Sequence, residues 1–293
     1  MKVLPNRNRR RIVQALSVIP LLSLPVSAST GENSFRFGMT PAFLHNQHAL
    51  LEDWRLYMIR HLGLKVDFTQ RDSYRETMDL IRLKQLDFAW LCDYPYLHLK
   101  DLVHLLAVPV YQGQSYYHSY FIVHKNNTHV DSILALKDKL FAYADPYSNS
   151  GYLVPRFEIY QAGYDPDNFF KKTFFTWSHK KVIESVASQL SQGGAVDSFV
   201  WDTLSKVSPS LTNQTRIIWK SPGYGFPPIV AQINNVNEQD FILMQSMLLD
   251  MSENREGQKL LARLNLDGFS IQKTDLYDSV SKMMKVLGVF VST

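Results

Sequence analysis

Residues 144–155 read Ala144-Asp145-Pro146-Tyr147-Ser148-Asn149-Ser150-Gly151-Tyr152-Leu153-Val154-Pro155. The apolar run Leu140 to Ala144 reads as a strand that stops at Asp145-Pro146, and small hydroxyl and amide residues stand where a helix then begins. At such a junction an anion meets unpaired backbone N–H groups and about half a positive charge, with no Arg or Lys required. Ser148, Asn149 and Ser150 can add side-chain donors. They can equally act as ordinary N-caps, and the local sequence leaves both readings open.

Outward from this stretch, strand and helix signals alternate, which points to an α/β fold. Phe35 to Gly38 reads as a strand, Leu50 to His61 as an amphipathic helix, Val66 to Thr69 as a strand and Ser73 to Leu83 as a second helix. Phe88 to Leu91 reads as a buried strand ending in the loop Cys92-Asp93-Tyr94-Pro95-Tyr96. A second block opens with the strand Tyr120 to His124, and Phe170 to Thr176 and Ser198 to Trp201 read as strands around a helix from Lys180 to Leu190. The Pro- and Gly-rich segment Lys220 to Pro228 suits a crossover back to the first block, before the apolar run Ile229 to Ile233. Helices near Asp240 to Asp250 and Asn254 to Leu264 extend the first block. Strands of this kind gather ligands at their carboxyl ends.

The N-terminus has the pattern of an export signal over residues 1–28. Lys2, Arg7, Arg9, Arg10 and Arg11 precede an apolar run from Ile12 to Val26, and Val26-Ser27-Ala28 suits cleavage. Pro20 and Pro25 interrupt that run, so it is too short for a comfortable membrane span of ~20 residues. The stretch from Asn8 to Val13 also has some likeness to a twin-arginine signal, and the route of export stays open. Loss of the signal would leave 26 Lys+Arg against 27 Asp+Glu, so the formal charge of +4 belongs to the precursor. No basic patch then argues for nucleic acid. Cys92 is the one cysteine, so a mature exported chain would have no internal disulfide. It is expected as a free periplasmic monomer.

The pattern Asp145-Pro146-x-Ser148-Asn149-Ser150-Gly151-Tyr152-Leu153-x-Pro155 resembles the phosphonate- and phosphite-binding periplasmic proteins of ABC importers, with Asn149 in place of a Thr. Phe37-Gly38, Asp87-Phe88-Ala89-Trp90, Trp177-Ser178-His179, Val196-Asp197 and Trp219-Lys220-Ser221-Pro222 extend the resemblance over the chain after the signal. It implies an α/β, two-lobed type II periplasmic binding protein fold with two interlobe crossovers, near Tyr111 to Ser119 and Ser221 to Pro228. Lobe 1 is expected from residues 29–115 and 226–293, and lobe 2 from 116–225.

The same resemblance implies that Ser148, Asn149, Ser150 and His179 contact a small oxyanion and that Tyr74 lines the cleft. It makes Thr40, Leu91, Cys92, Tyr94, Trp201 and Phe226 candidate cleft-lining residues. The family's aminoalkylphosphonate binders carry two carboxylates for the ligand's ammonium, at positions matched here by Leu204 and Phe226. Their replacement by apolar residues argues against such a ligand and for phosphate, phosphite or a phosphonate without an amine. An ABC permease is the expected partner. A related branch senses arsenite through a cysteine and feeds a membrane histidine kinase, so sensing through Cys92 is the alternative. The bland reading of Cys92 is a small inert hydrophobe after a buried strand.

No Gly-x-Ser-x-Gly, His-Glu-x-x-His, Walker-type or dinucleotide-binding glycine pattern is present. The pair His45-x-x-His48 lacks the carboxylate spacing of a zinc site. Neither catalysis nor a cofactor or metal is expected.

Overall fold

The computed structural model describes residues 34–40 and 48–289. The export signal and its cleavage site lie outside the described residues. Among the described residues thirteen strands are formed: β1 Ser34–Met39, β2 Lys65–Gln70, β3 Phe88–Trp90, β4 Val103–Val110, β5 Tyr116–Tyr117, β6 Ser119–His124, β7 Leu140–Tyr143, β8 Lys172–Phe175, β9 Gly193–Asp197, β10 Thr215–Lys220, β11 Tyr224–Gly225, β12 Ile229–Gln232 and β13 Gly268–Ser270. They build a six-stranded sheet in the order β13-β4-β12-β3-β1-β2 and a five-stranded sheet in the order β10-β6-β9-β7-β8. Among the described residues no helix is long and apolar enough to cross a membrane.

Each sheet is laid down by its apolar pattern. In β1 every second residue, Phe35, Phe37 and Met39, is buried, and β3 is buried throughout as befits a strand covered on both faces. β1 pairs in parallel with β2 and β3, and β7 pairs in parallel with β8 and β9. The sheets are nevertheless mixed. β12 lies antiparallel between β3 and β4, because it returns from the other sheet through an extended passage and needs no helical crossover.

Two passages, residues 111–118 and 221–228, connect the sheets. They pair with each other as the antiparallel ribbon β5–β11, and the Ser221 N–H donates to the Ser119 carbonyl at 3.0 Å. Gly225 sits in this ribbon where a Cβ would fall 2.7 Å from Leu276 and 2.8 Å from Tyr277, so the close approach of the C-terminal segment requires glycine.

Two local expectations need correction. Asp93–Leu99 is a helix and not a loop, since Pro95 falls in its first turn, where a missing N–H costs nothing. Ser198–Val207 is likewise a helix, and the strand lies just before it as β9. Asp197 decides that boundary: its carboxylate accepts from the N–H groups of Phe199 at 2.7 Å and Val200 at 3.4 Å.

Candidate functional site

Four chain segments meet where the two sheets face each other. From the six-stranded side come the helices Tyr74–Arg82 and Asp93–Leu99, and from the other side the turn after β7 and the helix His179–Ala187. Tyr74 is held at the first helical position by a capping box. Ser73 Oγ accepts from the Glu76 N–H at 3.3 Å, and the Glu76 carboxylate accepts from the Ser73 N–H at 3.1 Å. The Asp145 carboxylate accepts from the N–H groups of Tyr74 and Tyr147 at 3.1 and 2.7 Å, tying that helix to the turn.

The turn Asn149–Leu153 is one wide π-type turn that runs into the helix Val154–Gln161. Such widened turns occur often at functional sites. Ser148 caps it, its Oγ accepting from the Gly151 N–H at 3.0 Å, as the N-cap reading expects. One residue before Ser178-His179, Trp177 holds a left-handed backbone with φ of 61°. That conformation is costly for a bulky residue and is found preferentially at binding sites.

Tyr74, Ser148, Asn149, Ser150 and His179 are brought together, and all are buried. The imidazole Nε2 lies 3.3 Å from Tyr74 Oη and 3.4 Å from Ser148 Oγ. Its Nδ1 accepts from the Asp197 N–H at 3.1 Å, which assigns the ring proton of the neutral tautomer to Nε2. Burial holds the imidazole pKa down to about 3, so the ring is a neutral donor. Of six buried side-chain polar atoms without a partner among the described residues, two are on this turn: Asn149 Oδ1 and Ser150 Oγ. Buried polar atoms of folded proteins are nearly always paired, and two orphans on consecutive residues make this turn the candidate for holding a bound group.

Three polar residues that the sequence reading did not assign complete the cluster. Asp93, fully buried, accepts on Oδ1 from Cys92 Sγ at 3.0 Å, Tyr117 Oη at 2.9 Å and the Tyr94 N–H at 3.0 Å. Its Oδ2 accepts from Asn149 Nδ2 at 2.7 Å, across the two sheets. Burial pushes the Asp93 pKa up to about 6 against the opposing pull of those hydrogen bonds, and that of Asp197 up to about 8 against its two helix-capping bonds. The available signal for Asp93 was its place directly after a buried strand, where ligands gather. Tyr117, in the crossover ribbon, gave no local signal.

The other candidates separate into two groups. Cys92 packs with Tyr74 and Tyr147, and Tyr94 meets Tyr147 across the cleft with ring centroids 6.1 Å apart. Phe226 is buried against Tyr117 and Phe199 at 5.9 and 5.1 Å, while Thr40 donates to the Trp90 carbonyl at 3.2 Å and Leu91 belongs to the main core. The Trp201 ring packs on Tyr120 at 6.1 Å and its Nε1 donates to Thr215 Oγ1 at 3.1 Å, in a cluster shared with Leu204, none of them a residue of the buried donor set. The acids bonded to residues of the donor set are Asp93 through Asn149, Asp145 through the Tyr74 N–H, and Asp197, whose N–H meets His179.

An open cleft of about 560 Å³, lined by Ser73, Arg75, Glu76, Trp177, Ser178 and Lys181 among others, lies beside the Tyr74–His179 contact. A larger hollow of about 750 Å³ is lined by His104, Gln232, Phe241 and Lys273 and holds none of the clustered residues.

The buried carboxyls give a stability signature. Asp197 with a raised pKa keeps its proton in the folded state after the unfolded chain has released it near ~3.9, so its contribution is lost as pH rises through about 8. His179 acts oppositely, but only below the ordinary imidazole value of ~6.5. The melting temperature of the ligand-free protein is thus expected to fall from about pH 6.5 to 8, and Asp197→Asn to remove most of that fall. A flat or rising profile in thermal melts would contradict the assignment.

The family described as "ABC transporter, phosphonate, periplasmic substrate-binding protein" matches residues 37–277. The chain is 24% identical over 268 residues to the phosphonates-binding periplasmic protein of Escherichia coli K12, covering 87% of this chain and 78% of that protein. It is 23% identical to the "Probable ABC transporter phosphite binding protein" of Prochlorococcus marinus MIT 9301, covering 83% and 86%. Among solved structures, a binding protein component of an ABC phosphonate transporter from Pseudomonas aeruginosa superposes with a TM-score of 0.79 at 24% identity, covering 86% of this chain and 85% of that one. The Prochlorococcus protein in complex with methylphosphonate gives 0.79 at 22%, covering 88% and 99%. These likenesses give the two-lobed type II fold, and with a match that spans most of its length the chain belongs to the phosphonate family of periplasmic substrate-binding proteins of ABC transporters.

Proposed function

We propose that this chain captures a small phosphorus oxyanion in the periplasm, phosphite, phosphate or a phosphonate without an amine, and delivers it to an ABC permease. The observation that carries the reading is the buried cluster drawn from both sides of the cleft, in which Ser150 Oγ and Asn149 Oδ1 have no partner. Ser148, Ser150, His179 and Tyr74 supply neutral donors, and the two crossovers suit closure about a hinge. The expected lobes, 29–115 with 226–293 and 116–225, follow the two sheets. The names of the relatives and the export pattern of residues 1–28 support transport.

Asp93 supplies the nearest buried carboxylate but already accepts four hydrogen bonds. An ammonium would have to displace them, which adds to the preference against amines drawn from the apolar Leu204 and Phe226. The Ser148–His179 pair also does not support catalysis. With Nδ1 taken by a backbone N–H, Nε2 carries the proton, and a general base needs that nitrogen free. Calorimetry with phosphite, phosphate, methylphosphonate and 2-aminoethylphosphonate tests the reading. Hydrogen bonds to a charged ligand contribute roughly 1.5 to 3 kcal/mol, so Ser150→Ala is expected to weaken binding by about ten- to a hundredfold. Tight binding of the amine, or an indifferent Ser150→Ala, would count against it.

Sensing of a soft solute would require the Cys92 thiolate. Here the thiol proton is engaged by Asp93 and burial raises the thiol pKa well above its usual value. Cys92→Ser, which keeps a donor to Asp93, is expected to leave oxyanion affinity within a few-fold of wild type. Thermal stabilisation by arsenite that disappears in this variant would reverse the ranking.

A further inference from the structure

In place of a family hydroxyl the turn carries Asn149, and its orientation is set by its neighbours. Ionised Asp93 offers Oδ2, 2.7 Å away, only as an acceptor, so the atom facing it is Nδ2. Tyr117 Oη spends its proton on Asp93 Oδ1 at 2.9 Å, so toward Asn149 it too is an acceptor, and it takes the second N–H of Nδ2 at 3.1 Å. Both donors of the carboxamide are thereby used. The remaining atom, Oδ1, is buried, unpartnered and an acceptor. The donors of the same cluster are Ser148, Ser150, Tyr74 and the His179 Nε2–H, and none of them needs a charge.

We infer that Asp93 and Tyr117 lock Asn149 so that it presents a hydrogen-bond acceptor to the bound oxyanion, which makes the site selective for an anion that carries its own proton. A tetrahedral oxyanion with one P–OH has the matching set, oxygens that accept from the four donors and one hydroxyl that donates to Asn149 Oδ1. This rests on the oxyanion reading above and deepens it. A sulfonate or sulfate has nothing to donate, and a phosphonate monoester has the right charge but no hydroxyl. In a dry site an acceptor facing an anionic oxygen is repulsive, and rejection of ligands that lack the required hydrogen is strong for this reason.

Asp93→Asn reverses the lock without changing shape. Its amide faces Asn149 as a donor, Asn149 turns, and Nδ2 points into the site in place of Oδ1. Asn149→Ala removes the acceptor altogether and is a second route if the first variant does not fold. The test is calorimetry on wild type and both variants with methylphosphonate, methanesulfonate and the monomethyl ester of methylphosphonate, at a single pH near 7, where Asp93, titrating at about 6, is mostly ionised and the first ligand is still substantially monoprotonated. The expected result is a wild-type preference for methylphosphonate of at least a hundredfold over both ligands without a hydroxyl, shrinking tenfold or more in Asp93→Asn and in Asn149→Ala. Binding of methylphosphonate with equal acceptance of methanesulfonate, or a preference unchanged in both variants, overturns the lock and leaves the oxyanion reading standing. No binding of methylphosphonate or phosphite to wild type overturns both.

Discussion

Gly151→Ala is expected to cost the protein both stability and more than about a hundredfold in oxyanion affinity, the largest loss for a single added methyl group. A Cβ at this position would fall 2.5 Å from the Ala144 Cβ and 3.0 Å from both His179 Cε1 and Ser148 Oγ. The first contact is with the residue that directly follows β7 and is itself tied to Gly151 by its N–H, so it cannot give way without moving the turn or the sheet. Overpacking of this kind costs roughly 1 to 3 kcal/mol. Relief in the other direction displaces the imidazole and the capping hydroxyl, two of the donors on which the site depends, and a shift of ~1 Å in a preorganised site is enough to lose about two orders of magnitude. Calorimetry and a thermal melt of the variant check both parts, and a variant with wild-type affinity would show that the turn does not form the site.

His179→Ala carries the second large effect. It removes the Nε2–H donor and also leaves the Asp197 N–H without its acceptor inside a fully buried junction. An orphaned buried N–H costs about 1 to 3 kcal/mol, and the lost bond to a charged ligand about 1.5 to 3 kcal/mol. Stability should therefore fall by a few degrees in Tm or more, and affinity by roughly ten- to a hundredfold. Because the ring is neutral from well below pH 5 upward, the ratio of wild-type to variant affinity is expected to be the same at pH 6 and pH 8. A ratio that grows as the pH falls toward 6 would mean that a charged imidazole binds the anion.

Much of this architecture was legible in the sequence because local chemistry and tertiary structure agree there. The strand signal from Phe35 to Gly38, the helix signal from Ser73 and the junction at Asp145 to Pro155 each name their own structure. The candidate site residues were legible only through the family pattern, since a lone Tyr74 or His179 reads as ordinary packing. What escaped was set by long-range pairing. Asp93 acquires its role from Asn149 and Tyr117, 56 and 24 residues away in sequence. The start of the helix Ser198–Val207 escaped as well, where a strand was expected, and its Trp201 and Leu204 pack with Tyr120 and Leu211.

A crystal structure of the mature protein grown with methylphosphonate tests the central claim most directly. The expected result is a phosphonate group enclosed between the two sheets, its oxygens within normal hydrogen-bond distance, about 2.5 to 3.2 Å, of Ser150 Oγ and His179 Nε2. A phosphonate seated in the hollow lined by His104 and Phe241, or one in the cleft that leaves Ser150 and His179 untouched, would contradict it.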